Sequence, residues 1–536
     1  MAQDESNAPL PGYEHLRPTR RDILQGAGMA VATAALPFVR EASAAQLPAP
    51  QVPQADVPPV PGEPGRVTRA DYPVSPVMAR LSTYISRAHE HPLPADVEAQ
   101  AKIHTIDSLA AIVSGSGLPA GRAAINFIRH YAGGARPTAT VVADTTLCGA
   151  IEAALVNAVM AHADETDDAL PGAWHPGSNI IPTTLAAGEQ FGISGERFLR
   201  AVTLGYDIGH RVLATVGPGI RDTITLTYAI GGIFGATAAA SCAAGLNEEQ
   251  VRYALSYSAQ QCSGFESFPR DPHHIEKAFI FAGMNARNGL TSVLLVQAGF
   301  DAVDDVMTGP LNFLDFKNPK ANPDTLVDKL GERYAIMSAA LKRWTVGYPI
   351  QGVLDATEAL LKKHPIDPGQ VQEIVIRTAP GSITDNSGPG DINTQYAVAL
   401  MLVKRMATFR DIHDWTLMKD PQIVRLRALT KLIPGPGAGL PGSGRGPVLQ
   451  ITLKDGAHIE QNSPGPLLGT AANPMSHQQI VAKCRELMEP VLGKTKASNL
   501  IERVFELEKV KDIRELRPLL QATYVHSPKL SDYPSV

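Results

Sequence analysis

The feature that most constrains this chain is a change in the period of its apolar residues. From about Pro94 to Lys342 they recur at three- and four-residue steps, as in Ala150, Ala153, Ala154, Val156 and Met160, the spacing of one face of an α-helix. Alanines such as Ala236, Ala238, Ala239 and Ala240 let neighbouring helices approach closely, so this stretch predicts a tightly interpacked helical bundle. After Trp344 the pattern shortens. Val371 to Thr378 is β-branched, with Ile374, Val375 and Ile376 between polar ends, and Val448 to Ile459 reads as two strands joined across Asp455 and Gly456. Helical spacing returns at Ser476 to Leu492 and at Asn499 to Leu507, after the loop Asn473, Pro474, Met475. The chain therefore predicts a helical domain, a mixed domain that begins near Trp344, and a tail that returns to the helical domain.

At 536 residues the chain is long for one ordinary domain, and 44% hydrophobic with 19% charged residues gives ample material for a large core. With 48 basic and 53 acidic residues the formal charge is -5, so no basic footprint for nucleic acid is expected. The amino end reads as an address. Thr19, Arg20, Arg21, Asp22, Ile23 and Leu24 set paired arginines before an apolar run from Ala27 to Phe38, and Ala42, Ser43 and Ala44 supply small residues for a peptidase. The pair resembles a twin-arginine export signal over residues 1–45. The bland alternative is a frayed basic terminus with an incidental Ala-rich helix. The run is too short to span a bilayer stably, so no stable membrane insertion is expected once it is removed. Residues 46–76 carry Pro58, Pro59, Pro61 and Pro64 and predict an extended tether. This address implies a periplasmic protein, where disulfides are permitted. Cys148, Cys242, Cys262 and Cys484 lack CxxC spacing and leave three connectivities open; buried free thiols are the simplest reading.

Several motifs fail. Gly437, Gly439 and Gly442 satisfy GxGxxG, but Pro434, Pro436 and Pro441 interrupt the segment and a strand follows, which rejects a dinucleotide site. Gly493, Lys494 and Thr495 imitate the end of a phosphate loop, yet Met488 stands where the first glycine belongs. Neither HExxH nor GxSxG occurs.

The strongest constellation runs from Asn157 through His162, Asp164, Glu165, Asp167 and Asp168 to a Pro171/Gly172 break, then Trp174, His175, Pro176 and Gly177. On a helix, His162, Glu165 and Asp168 fall at three-residue steps and share one face. Such crowding moves pKa values apart, and the break lets His175 fold back toward that face as a proton-transfer group. The alternatives are a solvated acidic helix end and a divalent metal site of His162, Glu165 and His175. A second dense stretch, Phe268 to Lys277 and Ala282 to Gly289, contains His273, His274, Lys277 and Arg287. Lys277 and Arg287 are candidates to hold a substrate carboxylate; the alternatives are an interhelical ion pair for Arg287 and a solvated Lys277.

These motifs resemble the MmgE/PrpD family, which includes 2-methylcitrate dehydratase, cis-aconitate decarboxylase and iminodisuccinate epimerase. The residues that carry the resemblance are His104 to Leu109, the acidic stretch through His175 and Pro176, Ala282/Gly283 with Ala286/Arg287, Gln395 to Ala399, and Asn473/Pro474/Met475. The resemblance implies a mainly α fold: a discontinuous all-helical domain from 77–342 and 466–536, with a smaller α/β (α+β) lid at 343–465, as a homodimer. It also implies a pocket between the two for small di- and tricarboxylates, no organic cofactor, and proton abstraction beside a carboxylate; no metal ligand is assigned. The family aspartate falls on Glu165, the histidine after the break on His175, and a hydroxyl position on Ala169. The decarboxylase histidine aligns with about Leu226, near Tyr228; the family lysine with Ala278, beside Lys277; and the lid-side histidine with about Gln351.

The resulting expectation is an exported hydro-lyase, carboxy-lyase or isomerase acting on a small carboxylate. His175 is the expected general acid or base, with Glu165 and Asp168 setting its protonation, and Lys277 or Arg287 holding substrate charge. His162, Tyr228, His273, His274 and Gln351 complete the substrate-binding candidates. The competing classes are a non-catalytic periplasmic ligand-binding derivative of the same fold and, further off, a metal-dependent hydrolase.

Overall fold

The computed structural model describes residues 72–131, 137–170, 174–217, 227–378, 388–435 and 446–522. The address at 1–45, most of the Pro-rich tether, the Pro171/Gly172 break, Leu226 and the Gly437 to Gly442 motif lie outside the described residues.

The first stretch builds helices α1 (Pro76–Ser86), α2 (Ala95–Gly115), α3 (Pro119–Tyr131), α4 (Ala150–Ala161), α5 (Pro176–Phe191), α6 (Gly195–Val216), α7 (Thr227–Ala244) and α8 (Glu248–Gln260). The one-turn α9 (Ile275–Ala278) then runs through a wider, π-type turn, Phe279–Gly283, into α10 (Met284–Gln297). Within this helical stretch two short strands, β1 (Ala139–Thr140) and β2 (Leu147–Cys148), pair antiparallel. Beyond α10 the chain is irregular, with α11 (Phe313–Lys317) as a single short helix before Trp344. Small residues govern the packing, as their sequence spacing predicts. A Cβ at Gly209, Gly231 or Gly235 would lie 2.6, 3.0 or 3.1 Å from the indole of Trp174. The absent side chains of α6 and α7 thus make the slot that buries Trp174 completely and fixes the residue before His175.

The second stretch contains α12 (Tyr348–Lys363), α13 (Thr394–Lys404), α14 (Phe409–Ile412) and α15 (Pro421–Ala428) with a four-stranded sheet. Its strands are β3 (Val371–Thr378), β4 (Thr430–Pro434), β5 (Val448–Leu453) and β6 (His458–Asn462), in the order β4-β3-β5-β6. β3 runs parallel to β4 and antiparallel to β5, and β5 turns into β6 across Asp455 and Gly456, whose φ of 86° is open to glycine. Ile374 and Ile376 of β3 are buried with Leu449 and Ile451 of β5 against Val353, Leu354 and Leu400 of the helices.

After the sheet come α16 (His477–Leu492), α17 (Lys494–Phe505) and the one-turn α18 (Arg517–Leu520). Ser476 caps α16 in a capping box with Gln479. Gly493, at φ 79°, closes α16 and opens α17, so α17 begins five residues before the predicted Asn499. Ile480, Cys484, Leu487, Leu500 and Val504 belong to the same hydrophobic core as α1 to α10, whereas 346–451 builds a core of its own. The four cysteines are free thiols, three buried and Cys262 half-buried.

One expectation fails outright. The acidic stretch is not the end of a helix: α4 stops at Ala161, and 162–168 is an irregular turn. Asp164 accepts hydrogen bonds from the Thr166 amide at 3.0 Å and the Thr166 hydroxyl at 2.6 Å, a local alternative to the helical ladder. Beyond it Ala169 pairs with Ala340 as an isolated bridge, with N–O distances of 3.0 and 2.8 Å.

Candidate active site

Because 162–168 is a turn, its carboxylates fan out instead of sharing one face, and each meets a different partner. Asp168 points into the helical core. His104 of α2 donates from Nδ1 to its Oδ2 at 2.6 Å, the Tyr206 hydroxyl of α6 donates to the same oxygen at 2.7 Å, and the Gly177 amide donates to Oδ1 at 2.7 Å. A Cβ at Gly177 would sit 2.6 Å from that oxygen and 2.3 Å from the Ser108 hydroxyl, so only glycine lets the start of α5 approach so closely. Both burial and the neighbouring Asp168 charge push the Tyr206 phenol well up, which keeps it a donor. The Asp168 side chain is thus spent on structure; its backbone carbonyl is what reaches His175, 3.1 Å from Nδ1.

Asp167 takes the place that the sequence suggested for Asp168. Its Oδ2 accepts from His162 Nδ1 at 3.0 Å, its Oδ1 lies 3.5 Å from His175 Nδ1, and Lys342 Nζ lies 3.4 Å from Oδ1. Carbonyl and carboxylate oxygens only accept, so in the neutral imidazoles Nδ1 carries the proton and Nε2 the lone pair. Among the described residues the buried His162 Nε2 has no hydrogen-bond partner. Burial lowers the His162 pKa, although Asp167 opposes the shift.

Glu165 binds the second lysine. Its Oε1 pairs with Lys277 Nζ and its Oε2 lies 3.1 Å from Lys342 Nζ. Burial alone would raise this carboxyl, but the Lys277 and Lys342 ammonium groups outweigh it and hold Glu165 well below its usual range. Asp167 behaves alike, with burial overcome by His162, His175 and Lys342, and Lys342 is pushed up by the two carboxylates despite its burial. The Ala169 to Ala340 bridge brings Lys342 here. Lys277 Nζ also lies over the rings of Phe281 and Phe268, 5.2 and 5.9 Å from their centroids. The π-type turn places Phe281 so that it stacks on His162 at 5.0 Å and on Tyr228 at 4.6 Å.

The histidines form an arc. The ring of His162 lies 4.9 Å from that of His175 and 5.4 Å from that of His274, and Tyr228 lies 5.8 Å from His175. His274 adjoins a cavity of about 210 Å³ that is also lined by Asp164, His273, Asp391 and His413. The first three residues belong to the helical stretch, and Asp391 and His413 come from the stretch between Trp344 and β4. His413 Nε2 lies 3.1 Å from Asp164 Oδ2.

The structure therefore gathers His162, Glu165, His175, Tyr228, His274 and Lys277, with His273 on the cavity wall. Besides Asp168, it places two candidates elsewhere. Arg287 bonds Asn288 Oδ1 at 3.0 Å and lies over Phe279 on the flank of α10. Gln351 accepts from the Trp344 amide at 3.0 Å and donates to the Trp344 and Val346 carbonyls at 2.8 Å each; its amide knits the entry to α12 and has little capacity left for a ligand. Sequence reasoning missed Asp167, Lys342, Asp391 and His413 as partners. Asp167 stood in the acidic stretch, but Lys342 reaches it only through a pairing between residues far apart in the chain.

Comparison with known proteins agrees with this architecture. Residues 79–325 match the MmgE/PrpD N-terminal domain and residues 344–507 the MmgE/PrpD C-terminal domain. The chain belongs to the MmgE/PrpD family. A cis-aconitate decarboxylase-like protein of Aspergillus oryzae is 24% identical over 482 residues, which cover 84% of this chain and 98% of that protein. A cis-aconitate decarboxylase of Aspergillus terreus is 23% identical over 501 residues, 85% of this chain and 97% of its own.

Proposed function

We propose that this chain is an acid-processing enzyme that removes a proton from a carbon beside a carboxylate of a small di- or tricarboxylate or related acid. The reaction is an elimination, decarboxylation or isomerisation; the names of its relatives describe decarboxylation of cis-aconitate. One observation carries the reading: Asp167 and the Asp168 carbonyl hold two imidazoles by Nδ1, so that His175 Nε2 bears a lone pair in a site where Lys277 and Lys342 pair with the neighbouring Glu165 and Asp167. His175 takes the proton at Nε2. The negative charge that then grows on the substrate carboxylate is met by Lys277, which the substrate draws from Glu165, and by Lys342 behind it. Such preorganised cations in a water-poor site supply much of the acceleration. Residues 343–465 serve as a lid over the helical body of 77–342 and 466–536; the family pattern adds a homodimer to this reading, and the paired arginines Arg20 and Arg21 before an apolar run add export through residues 1–45.

The test is proton exchange. The protein is incubated in deuterated water with cis-aconitate and with a panel of small di- and tricarboxylates, and deuterium beside a carboxylate is read by NMR together with product formation. Label or product in wild type that His175→Gln abolishes supports the reading. Tight binding of an acid with neither label nor product favours the ligand-binding derivative.

A metal-dependent hydrolase has one observation in its favour: His162, Asp167 and His175, or His162, Glu165 and His274, each bring ligand atoms within 4.8 Å of one another. Lys277 and Lys342 already neutralise these carboxylates, so a divalent cation would have to displace them. Calorimetric titration with Zn²⁺ or Mn²⁺ separates the two: the acid-processing reading expects no site tighter than about 1 mM, an affinity of only about 4 kcal/mol.

A further inference from the structure

Among the buried polar atoms that have no hydrogen-bond partner in the described residues are His162 Nε2, both ring nitrogens of His274, Asp391 Oδ2 and His413 Nε2. Buried groups of this kind are rare in folded proteins and call for an explanation. His274 is 4% exposed and Asp391 1% exposed. Nδ1 of His274 lies 3.6 Å from Asp391 Oδ2, close enough for a charge pair and too far for a hydrogen bond. His274 also holds a left-handed backbone conformation, φ 59° and ψ 19°, at the start of α9, unfavourable for a residue with a side chain. Both residues line the cavity of about 210 Å³, and the His274 ring meets that of His162 edge-on at 5.4 Å. A buried imidazole and a buried carboxylate thus face one another across a cavity with their hydrogen-bonding capacity unused.

We propose that His274 and Asp391 form a second acid/base pair of this site, which delivers the proton that completes turnover. This rests on the reading of His175 as the first base. His175 Nε2 takes the proton from carbon, and the C–H electron pair passes into the carboxylate as an enediolate. Neutral His274 then gives up its Nε2–H proton, either to the carbon, which forms a new C–H bond, or to a hydroxyl whose C–O bond breaks as it leaves as water. The N–H electron pair stays on the ring while Nδ1, which faces Asp391, takes the Asp391 carboxyl proton; solvent then returns a proton to Asp391 and removes the one held by His175. Asp391 supplies from the 343–465 stretch what Gln351, spent on backbone groups, cannot.

The surroundings support the assignment. His274 faces Asp391 from the turn before α13, His162 from the end of α4, Glu165 and Asp167 from the acidic turn, and Lys277 from α9; burial, then Lys277 and His162, hold it well below its usual pKa. Asp391 faces His413, Asp164, Glu165 and Lys277, and burial pushes its carboxyl up to about 6. The pair therefore stores one proton below about pH 6, mainly on Asp391, and loses it above that pH.

The experiment uses the full chain and the acid that wild type exchanges fastest, with cis-aconitate tried first. His274→Gln is expected to lose net turnover by about 100-fold or more while deuterium wash-in beside the carboxylate falls by no more than about fivefold. Asp391→Asn, nearly isosteric, is expected to show the same split and to lose the step near pH 6 in the kcat profile. If either variant folds, by its thermal unfolding, and turns over within about threefold of wild type, the assignment is overturned. If wild type itself exchanges and converts no acid, the parent reading fails and takes this one with it. Exchange that persists with turnover unaffected by either variant overturns this inference alone.

Discussion

Asp167 and Asp168 are neighbours in the chain and equally buried, yet they serve opposite ends. Asp168 accepts from His104, Tyr206 and Gly177, donors on α2, α6 and α5 that lock the turn into the helical core. Asp167 binds His162, His175 and Lys342, and the imidazole that it orients keeps an unpartnered Nε2. A fully satisfied network rigidifies, whereas buried groups left with spare capacity mark where a ligand or a proton is to go. One turn of chain therefore carries both a structural knot and a chemical site, back to back.

Substitutions on the two sides should separate these roles. On the chemical side, His175→Gln is expected to lower kcat by about 10²–10⁴-fold with little change in thermal midpoint, checked by steady-state kinetics and calorimetry. A stability loss with intact kcat would reverse the assignment. On the structural side, Asp168→Ala leaves a histidine, a phenol and an amide without their acceptor and is expected to cost about 3–5 kcal/mol in urea unfolding. An unchanged midpoint would break the comparison. Lys277→Met removes one of the two cations on Glu165, so kcat and kcat/KM are expected to fall together by about 10²-fold; a rise in KM alone would make Lys277 a binding group only.

How much of this was legible follows from the range of the interactions. The β5/β6 hairpin could be read because alternation and an Asp-Gly turn are local, and α16 because Ser476 and Gln479 sit three residues apart. His175, Glu165, Lys277 and His274 could be named from residue type and crowding. Their partners could not, because Lys342 arrives through the Ala169 to Ala340 bridge and Asp391 through packing of the second core. The helical reading of 162–168 failed although Asp164 and Thr166 carried its contrary signal, a carboxylate placed to bond the backbone two residues on.

A smaller effect concerns His413 and Asp164. Burial lowers His413, but the Asp164 carboxylate, 3.1 Å from its Nε2, together with the charge of Asp391 raises its pKa overall. A raised folded value means that the stabilisation is complete below the unfolded value of about 6.5 and is lost as pH rises through the folded one. Unfolding free energy should therefore decline more between pH 6 and 9 in wild type than in His413→Gln; parallel curves would show that the pair contributes nothing. Smallest of all, Arg287→Gln, on the flank of α10, is expected to stay within about 0.5 kcal/mol of wild type in stability. A drop well beyond that would give Arg287 a part in the knot or the site.

The most direct measurement is a crystal structure with a small carboxylate that the protein exchanges. The account predicts the carbon that bears the labile hydrogen about 3–3.5 Å from His175 Nε2, with a carboxylate oxygen on Lys277. An acid bound elsewhere, with no substrate carbon near His175 Nε2, would contradict it.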